Sequence, residues 1–484
     1  MISKIYKAIS QNKKPRILLI GDVMLDEQIN GDASRISAEA PVPVLLFKNK
    51  TYYPGGAANV AMNLFKMQAD VALISVTGGD NSHNTLKNLL KNKIDTKFLI
   101  DDERPTTTKT RIISDRHQVT RIDTETSKNI SSEAENELIR LYDKRLDSLM
   151  PDVVVVSDYG KGVLTHKVCS HVIKTAKALD IPVMVDPKGK KYDKYAGATL
   201  ITPNRKELQI ASEAYELNEL IIKAQEFCLN LNINNIALTR SEEGISLISS
   251  SSHVHFPTVA EEVVDVCGAG DAVISAAAIG IGLGLEIDEA VFLGNLAGAA
   301  AVKKHGTQAV SRLDLIKTCI EKNKTISTNK VFSLSEIENI AALWKEDKQK
   351  IVFTNGCFDL FHVGHLSLLK KCKELGTKLI VGLNTDNSIK KLKGENRPVI
   401  TENERAQILS GLECVDAVVF FEDDTPLRVI QSVFPNVLVK GKDYQSSEIV
   451  GADFVIQNQG KVVTVDLIEG ISTTKILEKI SKKD

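Results

Sequence analysis

The sequence predicts an α/β protein of two domains, each built on a largely parallel β-sheet flanked by helices. Three observations predict this class: the length, short apolar runs that alternate with helical patterns, and one polar stretch that interrupts the alternation. With 484 residues, the chain is about three times a ~150-residue domain, so we expect two or three domains with separate cores. Apolar runs without polar alternation, such as DVVVVSDYG at 152–160, are typical of strands buried on both faces of a parallel sheet.

The first predicted domain covers residues 1–325. Segments 32–53 and 96–123 alternate between polar and apolar residues, and we expect them to form a small separate sheet that covers a site as a lid. After Val273 the pattern predicts helices that are rich in Ala and Gly, and these small residues allow close packing on the main sheet. The predicted strands of that sheet are RILLIGD (16–22), DVALISVTGGD (70–80), DVVVVSDYG (152–160), IPVMVDPKG (181–189), ATLITPN (198–204) and NIALTR (235–240).

A polar stretch without hydrophobic period, EKNKTISTNK at 321–330, marks the domain boundary. A Ser-x-x-Glu capping box at Ser333 and Glu336 predicts one helix after it, so we assign 326–347 to a linker and connecting helix. Residues 348–484 then form a second, smaller domain with a parallel sheet. Its predicted strands are KIVFTNGCFD (350–359), KLIVGLNTD (378–386), AVVFFEDD (417–424), VLVKGKD (437–443) and KVVTVDLI (461–468).

Composition and charge argue against several classes of protein. Lys and Arg total 61 against 62 Asp and Glu, so a net charge of −1 provides no field to attract nucleic acid or an anionic membrane. The seven cysteines are odd in number, dispersed and without a CxxC pair, which fits reduced thiols in the cytoplasm. The longest weakly polar stretch, 272–285, is too short to cross a bilayer. We therefore expect no nucleic-acid partner and no membrane partner.

The motif DVCGAGD at 265–271 lies between an extended segment and a predicted helix. Its glycines let the backbone N–H groups of 268–270 converge at the helix N-terminus, where they can hold phosphoryl oxygens. Asp271 follows this cradle and could take a proton from an attacking hydroxyl. A capping Asp after a glycine turn is the alternative, and the glycine loop alone leaves both interpretations open.

Other residues of the first domain are candidates for sugar binding. Gly55 and Gly56 allow a close backbone approach, and Asn59 behind them offers an amide to polyol hydroxyls. Asp22 and Asp26 follow the first strand at the carboxyl edge of the sheet, where open parallel sheets bind ligands. Each residue alone could serve only a cap or a turn, whereas their order together favours a site.

Asn204 and Glu207 are three residues apart on a predicted helix and could orient water molecules of a Mg²⁺ ion near ATP phosphates. With GGAANVA at 55–61 and DVCGAGD, residues 1–320 resemble the ribokinase-like carbohydrate kinases. The resemblance implies a sugar site under a β lid, ATP across the sheet edge and Asp271 as catalytic base. Cys267 stands where many members have Thr or Ser, so a hydroxyl contact is not expected there. The implied ATP-binding residues are Asn204, Glu207, Thr239, Gly244, Gly268, Ala269, Gly270 and Asn295.

In the second domain, TNGCFDLFHVGH at 354–365 places two histidines at a predicted helix start directly after a strand. His362 and His365 would share a helix face and donate hydrogen bonds to oxygens that gain charge during displacement at an α-phosphate. A zinc site is the alternative, but two histidines without a nearby third ligand make a poor zinc set. The same turn supplies Asn355, Gly356 and Phe358 as candidates for ATP binding.

Further candidates lie in loops that the topology brings to the same sheet edge. GISTTKI at 470–476 offers hydroxyls and N–H groups to the outgoing pyrophosphate. Arg397 lies on a basic loop that could close over phosphates, and a solvated charged loop is an equally supported alternative. The full set of predicted ATP contacts in these loops is Asp386, Arg397, Lys442, Ser472, Thr473 and Thr474.

Residues 348–484 resemble the HxGH nucleotidyltransferases of the cytidylyltransferase-like group, which implies a Rossmann-like fold. The resemblance also implies that His362 and His365 stabilise the transition state of a direct attack, without a covalent enzyme intermediate. The hydroxyls of 472–474 would contact nucleotide phosphates.

With SDYGKG at 157–162 and VDPKGKKY at 185–192, nearly the whole chain is similar to the bifunctional heptose 7-phosphate kinase and heptose 1-phosphate adenylyltransferases. This implies ATP-dependent phosphorylation of D-glycero-β-D-manno-heptose 7-phosphate at C1 and adenylylation to ADP-heptose for the lipopolysaccharide core. It also implies Mg²⁺ with ATP in both reactions and a homodimer. Basic candidates for the sugar phosphate are Arg111, Arg116, Arg121 and Lys161, and a surface position is the alternative for each. Two other functions stay open: the same chemistry on another sugar or polyol phosphate with CTP, or a nucleotide-sensing C-terminal domain.

Overall fold

The computed structural model describes the chain except residues 116, 261–262, 305, 307, 323–329, 443–448 and 467–484. The chain divides into two compact units, Met1–Ile9 with Lys13–Lys322, and Ser10–Asn12 with Asn323–Asp484. Both units carry parallel-rich sheets flanked by helices, so the predicted α/β class is confirmed. Within the described residues, no helix is both long and apolar enough to span a membrane.

The first unit contains two sheets. Its strands are β1 (Arg16–Gly21), β2 (Val23–Ile36), β3 (Pro43–Gly56), β4 (Asp70–Thr77), β5 (Asp95–Ile100), β6 (Thr108–Ser114), β7 (His117–Thr124), β8 (Val153–Ser157), β9 (Val183–Asp186), β10 (Leu200–Ile201), β11 (Asn235–Thr239), β12 (Gly244–Ile248) and β13 (His253–Pro257). The main sheet has the order β13-β12-β11-β10-β9-β8-β1-β4-β5, and only β12 and β13 pair antiparallel with their neighbours.

Ten helices accompany these strands in the described part of the first unit. They are α1 (Ile2–Ile9), α2 (Ala57–Lys66), α3 (Asn81–Leu90), α4 (Ser132–Leu149), α5 (His166–Ala178), α6 (Arg205–Ser212), α7 (Leu217–Asn230), α8 (Ala269–Gly282), α9 (Ile287–Ala301) and α10 (Arg312–Lys322). A Cβ at Gly280 of α8 would lie 3.0 Å from the Cα of Ala290 in α9. The small residues predicted behind Val273 therefore let these two helices pack against each other.

Strand β8 shows why continuous apolar runs mark the main sheet. All five residues of Val153–Ser157 are buried, because β1 and β9 pair on either side and helices cover both faces. On one face, α4, α5 and α7 contribute to a core around Val154, Val156 and Tyr142.

The lid prediction is correct for one segment and needs correction for the other. Strands β2, β3, β6 and β7 form a separate sheet in the order β3-β2-β6-β7. Residues 95–100 do not belong to it, because β5 pairs in parallel with β4 at the edge of the main sheet. An edge strand with one exposed face alternates in sequence just as a lid strand does, so the pattern could not separate them.

The second unit has one parallel sheet in the order β14-β17-β16-β15-β18-β19. Its strands are β14 (Val331–Phe332), β15 (Ile351–Gly356), β16 (Lys378–Asn384), β17 (Ala417–Phe421), β18 (Val437–Gly441) and β19 (Lys461–Val465). Its described helices are α11 (Leu334–Glu346), α12 (Val363–Glu374), α13 (Asp386–Lys393), α14 (Glu402–Ser410), α15 (Leu427–Val433) and α16 (Ala452–Gln457).

The segment assigned to a linker and connecting helix contributes directly to this second sheet. β14 pairs with β17, and α11 packs against β15 and β17. The capping box predicted at Ser333 and Glu336 is present at the start of α11 and is confirmed. Residues 331–346 are therefore part of the second unit.

Candidate active sites

In the first unit, α8 begins next to the carboxyl edge of the main sheet and presents the glycine cradle. Gly268 precedes the helix with φ 77°, a left-handed conformation that favours glycine. A Cβ added at Gly270 would meet no atom within 4 Å, so the space beside the first turn is open. Asp271 lies in that first turn and is 9% exposed. The cradle and the carboxylate thus occupy one helix N-terminus, as the sequence predicted.

Both carboxylate oxygens of Asp271 accept hydrogen bonds. The Nδ2 of Asn59 donates to Oδ2 at 2.5 Å, and the hydroxyl of Tyr159 donates to Oδ1. Burial raises the pKa of Asp271 to about 6, although the donors Tyr159 and Asn59 oppose the shift. A carboxylate with a pKa close to neutral is suited to general base catalysis.

The lid sheet carries two predicted sugar-binding residues close to Asp271. Asp26 on β2 and Arg111 on β6 form an ion pair, with Oδ1 and Nη1 2.5 Å apart. Gly55 is required here because a Cβ would lie 2.4 Å from the Oδ2 of Asp26. Asp26 raises the pKa of Asp271 and Lys109 on β6 lowers it, so the lid sets part of the electrostatic field at the carboxylate.

Two other predicted basic residues form ion pairs of their own, and one of them, Arg121, lies opposite Arg111 where β6 pairs with β7. Arg121 pairs with Asp123 on the exposed strand β7, with 2.9 Å between Nε and Oδ1. Lys161 pairs with Glu125, with 2.8 Å between Nζ and Oε1. Arg116 lies outside the described residues. Arg111 is thus the predicted arginine that pairs with Asp26.

The predicted sugar contact Asp22 is hydrogen-bonded within the protein. Its side chain is buried, at 1% exposure, and accepts the backbone N–H groups of Tyr159 at 2.8 Å, Lys161 at 3.1 Å and Val163 at 3.2 Å. Because both carboxylate oxygens accept these N–H groups, Asp22 holds the loop after β8, and its contact with a sugar stays a prediction. Gly56, with φ 56°, lies against the Asp22 carbonyl, since a Cβ would be 2.5 Å from that oxygen.

The predicted kinase nucleotide residues gather at the ends of β10–β13. Asn204 and Glu207 form the capping box of α6, each accepting the other's backbone N–H at 2.9 Å. Thr239 and Asn204 are paired through an isolated parallel β-bridge. The Nδ2 of Asn295 donates a hydrogen bond to the Pro257 carbonyl at 2.7 Å. Gly244 pairs with Pro257 and has φ 103°. The capping alternative thus describes Asn204 and Glu207 in this structure, and their contact with a hydrated cation stays a prediction.

Sequence reasoning missed two residues of this site. Tyr159 contacts Asp271, and Asp186 at the end of β9 has a pKa raised well above its ordinary value by burial and then by Asp271 and Glu207. Both residues lie in motifs that the sequence displays, SDYGKG and VDPKGKKY. A strand-end position was the available signal, because polar residues there face the ligand edge of a parallel sheet.

In the second unit, the two histidines stack at the start of α12. Their ring centroids are 3.9 Å apart with an interplanar angle of 19°. His362 is the N-cap residue, and its Nδ1 accepts the backbone N–H of Gly364 at 3.2 Å. A neutral His362 therefore carries its proton on Nε2, where it can be donated to a ligand. Burial lowers the pKa of His362.

His365 lies deeper than His362. Its ring packs against Phe358 and Phe361, with centroids 5.2 Å and 5.6 Å away, and its Nδ1 is buried and has no hydrogen-bond partner in the part of the chain that the structure describes. Burial, followed by His362 and Lys393, lowers its pKa to about 4. Both shifts favour neutral imidazoles at neutral pH in the protein without nucleotide.

Three predicted ATP contacts of this unit are engaged within the protein. Phe358 is buried in the core and packs on His365, so it supports the histidine, and its contact with a nucleotide stays a prediction. Arg397 is 13% exposed and pairs with the buried Asp359, with 2.9 Å between Nη2 and Oδ2. The loop of Arg397 is thus fixed to the strand end, which corrects the expectation of a free basic loop. Lys442 pairs with Asp466, with 2.8 Å between Nζ and Oδ1.

The strand end itself keeps polar atoms near the histidines. The Oδ1 of Asn355 is buried and has no hydrogen-bond partner among the described residues. A Cβ at Gly356 would lie 3.2 Å from the ring of Phe358, which explains the glycine. Ser472, Thr473 and Thr474 lie outside the described residues.

Arg405 on α14 is a residue that the sequence did not single out. Its side chain is fully buried, and Nη1 donates to the carbonyls of Cys357 at 2.7 Å and Asn384 at 2.8 Å. Its Nη2 donates to the Oδ1 of Asp386 at 2.6 Å. Arg405 therefore joins the carboxyl ends of β15 and β16, and the predicted ATP contact Asp386 is held by it. The sequence of α14, ENERAQILS, does not show that its arginine is buried.

Comparison with known proteins gives a consistent result for both units. Residues 14–313 match the family model of pfkB family carbohydrate kinases, and residues 353–479 match the cytidylyltransferase-like model. The chain is 46% identical over 477 residues to a protein of Campylobacter jejuni subsp. doylei, covering 97% of this chain and 98% of that one. It is 42% identical over 467 residues to a protein of Koribacter versatilis, covering 96% of each. Both relatives carry the name bifunctional protein HldE.

Solved structures support the fold of the first unit. Phosphofructokinase-2 from Escherichia coli, in complex with potassium, superposes with a TM-score of 0.54 at 18% identity. The match covers 63% of this chain and 99% of that one. Ribokinase from Arabidopsis thaliana, complexed with ribose and ATP, gives a TM-score of 0.50 at 16% identity and covers 63% and 99%.

Proposed function

The chain belongs to the family of bifunctional HldE proteins, and from this premise we propose that its two units act in sequence on one sugar phosphate. The first unit transfers the γ-phosphoryl group of ATP to the C1 hydroxyl of D-glycero-β-D-manno-heptose 7-phosphate. After a separate sugar phosphatase has removed the 7-phosphate, the second unit transfers the adenylyl group of another ATP to the new 1-phosphate, giving ADP-heptose and pyrophosphate. This proposal rests on one observation: the same chain places the buried carboxylate of Asp271 at one helix N-terminus and the stacked pair of His362 and His365 at another.

In the kinase reaction Asp271 acts as the general base. Its ionised carboxylate accepts the proton of the C1 hydroxyl while the hydroxyl oxygen forms a bond to the γ-phosphorus and ADP leaves. The N-terminal N–H groups of α8 and the helix dipole stabilise negative charge on the phosphoryl oxygens. Asn59 and Tyr159 fix the carboxylate oxygens.

The second reaction needs no base of this kind. The nucleophile is a phosphate oxygen, which carries negative charge at neutral pH, because the second pKa of a phosphate monoester is about 6. His362 and His365 donate hydrogen bonds to the oxygens of the α-phosphate, where charge accumulates as pyrophosphate leaves. The Nε2 proton of His362 is fixed by the contact between Nδ1 and Gly364.

We propose that Mg²⁺ accompanies ATP in both units. In the first unit the donor set fits a hydrated cation: Glu207 is a carboxylate at the edge, and its charge adds to that of Asp271 in raising the pKa of Asp186. Asn204 and Glu207 would hold the ion through water, and bound Mg²⁺ offsets negative charge on the phosphates.

The sugar is proposed to lie between the lid and α2, within reach of Asp26, Asn59 and Arg111. Arg111 already pairs with Asp26, so the 7-phosphate would compete for that guanidinium. We also propose a homodimer in the cytoplasm, and the seven free cysteines support a reducing compartment.

The proposal is tested by incubating the full chain with heptose 7-phosphate, ATP and Mg²⁺ and identifying products by mass spectrometry. Heptose 1,7-bisphosphate should form first. Because ADP-heptose carries no 7-phosphate, a heptose 7-phosphatase is added before the second step is assayed. ADP-heptose and pyrophosphate are then expected, and CTP should not replace ATP. Absence of both sugar products, or a CDP-sugar as the main product, would contradict the proposal.

A further inference from the structure

Building on the proposed kinase reaction, we infer that Tyr159 is a positioning residue that orients the Asp271 carboxylate and holds it ionised through a donated hydrogen bond. The Tyr159 hydroxyl donates to Oδ1, while Asn59 donates to Oδ2 at 2.5 Å. An ionised carboxylate offers about four lone-pair positions, so two stay open to the sugar hydroxyl. The tyrosine therefore fixes the base without blocking it.

The fold holds the loop of Tyr159 from two sides. Asp22 accepts the N–H of Tyr159 at 2.8 Å and two further N–H groups of the loop. The neighbouring Asp158 is buried, accepts the hydroxyl of Tyr195 at 2.7 Å and pairs with Lys194. With its backbone fixed on both flanks, the loop holds the phenol at Asp271 before any ligand binds.

The charges that face Asp271 make this hydrogen bond important. Asp26 on β2 raises the pKa of Asp271 and Lys109 on β6 lowers it, while Asp186 on β9 adds a further carboxylate nearby. The pKa of Tyr159 lies well above its ordinary value because of burial and the Asp271 charge, so the phenol stays protonated. Because an ionised carboxylate can only accept, the phenol is the donor in this hydrogen bond. A bond donated to the charged form stabilises that form, so its loss raises the pKa of Asp271.

The test is the pH profile of kinase kcat/KM for Tyr159→Phe against the wild type between pH 5 and pH 9. The base must be ionised, so activity falls on the acid side. We expect the acid limb to move to higher pH by about one unit, since one hydrogen bond to a charged group has about this effect. The phosphates of substrate and ATP titrate equally in both proteins, so the displacement reports the enzyme alone. A limb at the wild-type position would overturn the inference.

Two further variants separate positioning from folding. Tyr142→Phe removes another buried hydroxyl of the same unit, one that donates to the Val172 carbonyl at 3.2 Å, and its limb should match the wild type. Tyr195→Phe loosens Asp158 and should move the limb in the same direction as Tyr159→Phe, by less. This second shift keeps the inference testable if Tyr159→Phe folds poorly, and its absence would then contradict it. A wild-type protein without kinase activity would instead refute the proposed function.

Discussion

The two candidate sites share a position in the fold and differ in the groups they present. Each lies at the N-terminus of a helix beside the carboxyl edge of a parallel sheet, with Asp271 in α8 and the pair of His362 and His365 at α12. Burial disfavours charge in both, which raises the pKa of the carboxylate to about 6 and lowers that of His365 to about 4. The same physical cause thus produces a proton acceptor in one unit and neutral hydrogen-bond donors in the other.

This difference follows from the nucleophiles. A sugar hydroxyl must lose a proton when it attacks, whereas a sugar phosphate is already anionic at neutral pH. The first site therefore needs a base, and the second needs only donors to the phosphate under attack. Variants that affect one reaction and spare the other test this account.

The largest expected effect is that of Asp271→Asn on the kinase reaction. Loss of the base should lower kcat by about 10²–10⁴-fold, the range typical of general base catalysis. Adenylyl transfer to heptose 1-phosphate, measured as pyrophosphate release, should keep its wild-type rate. Asp143→Asn, at a partly exposed carboxylate that pairs with His171, serves as the matched control and should leave both reactions unchanged. If Asp271→Asn keeps kinase activity within tenfold of the wild type, Asp271 is not the general base.

The reciprocal variant is His365→Ala. Removal of one donor to the transition state is expected to lower adenylyl transfer by about 10²–10³-fold, and kinase activity should be retained. His83→Ala is the control, since His83 is a buried histidine of the first unit that contacts Thr77. If adenylyl transfer survives His365→Ala at the wild-type rate, the second unit is not catalytic through this pair.

A smaller effect concerns the support of the second site. Arg405→Met should lower the free energy of unfolding of the second unit by roughly 3 kcal/mol, because it leaves buried carbonyls and the Asp386 carboxylate without their donor. The single tryptophan of the chain, Trp344, lies in α11 of this unit, so its fluorescence during urea unfolding reports on this unit. Arg428→Met, at an exposed position, is the control. Equal unfolding midpoints for the two variants would show that Arg405 contributes no such support.

Much of the fold could be predicted from the sequence because burial on both faces leaves a clear pattern. The run of valines in β8 and the capping box of α11 were both predicted and both found. Strand β5 was placed in the wrong sheet, since period-two alternation reports one exposed face without saying which sheet the strand joins. Pairing partners are a property of topology, and local sequence does not encode them.

The site was predicted less completely than the fold. Motifs located Asp271 and the histidine pair, because glycines beside reactive residues are visible in the chain. Asp22 and Phe358 were assigned to ligands, and the structure shows them buried and in contact with other parts of the protein, which the sequence did not indicate. Tyr159 and Arg405 were missed because their importance comes from contacts with residues distant in sequence, Asp271 and Asp386 among them.

The smallest expected effect concerns the protonation state of His365 before nucleotide binds. With a pKa of about 4, its imidazole should stay neutral from pH 8 down to about pH 5 and gain a proton only below that. The chain has nine histidines, so ¹H–¹³C spectra of wild type and His365→Gln identify the signal by its loss. The remaining eight provide the reference in the same spectrum. We expect the His365 signal to keep its position across that range.

Addition of ATP should then raise the pKa of His365, because a nearby polyanion favours the charged imidazole. The direction of this pKa shift distinguishes two accounts of the second site. A midpoint near 6.5 in the free protein would mean that burial does not control this histidine, and the donors would be imidazolium ions from the start. A low midpoint that rises with ATP would mean that the second site acquires positive charge only when the phosphates arrive. The first site has the opposite requirement, since Asp271 must already be ionised when the sugar hydroxyl binds.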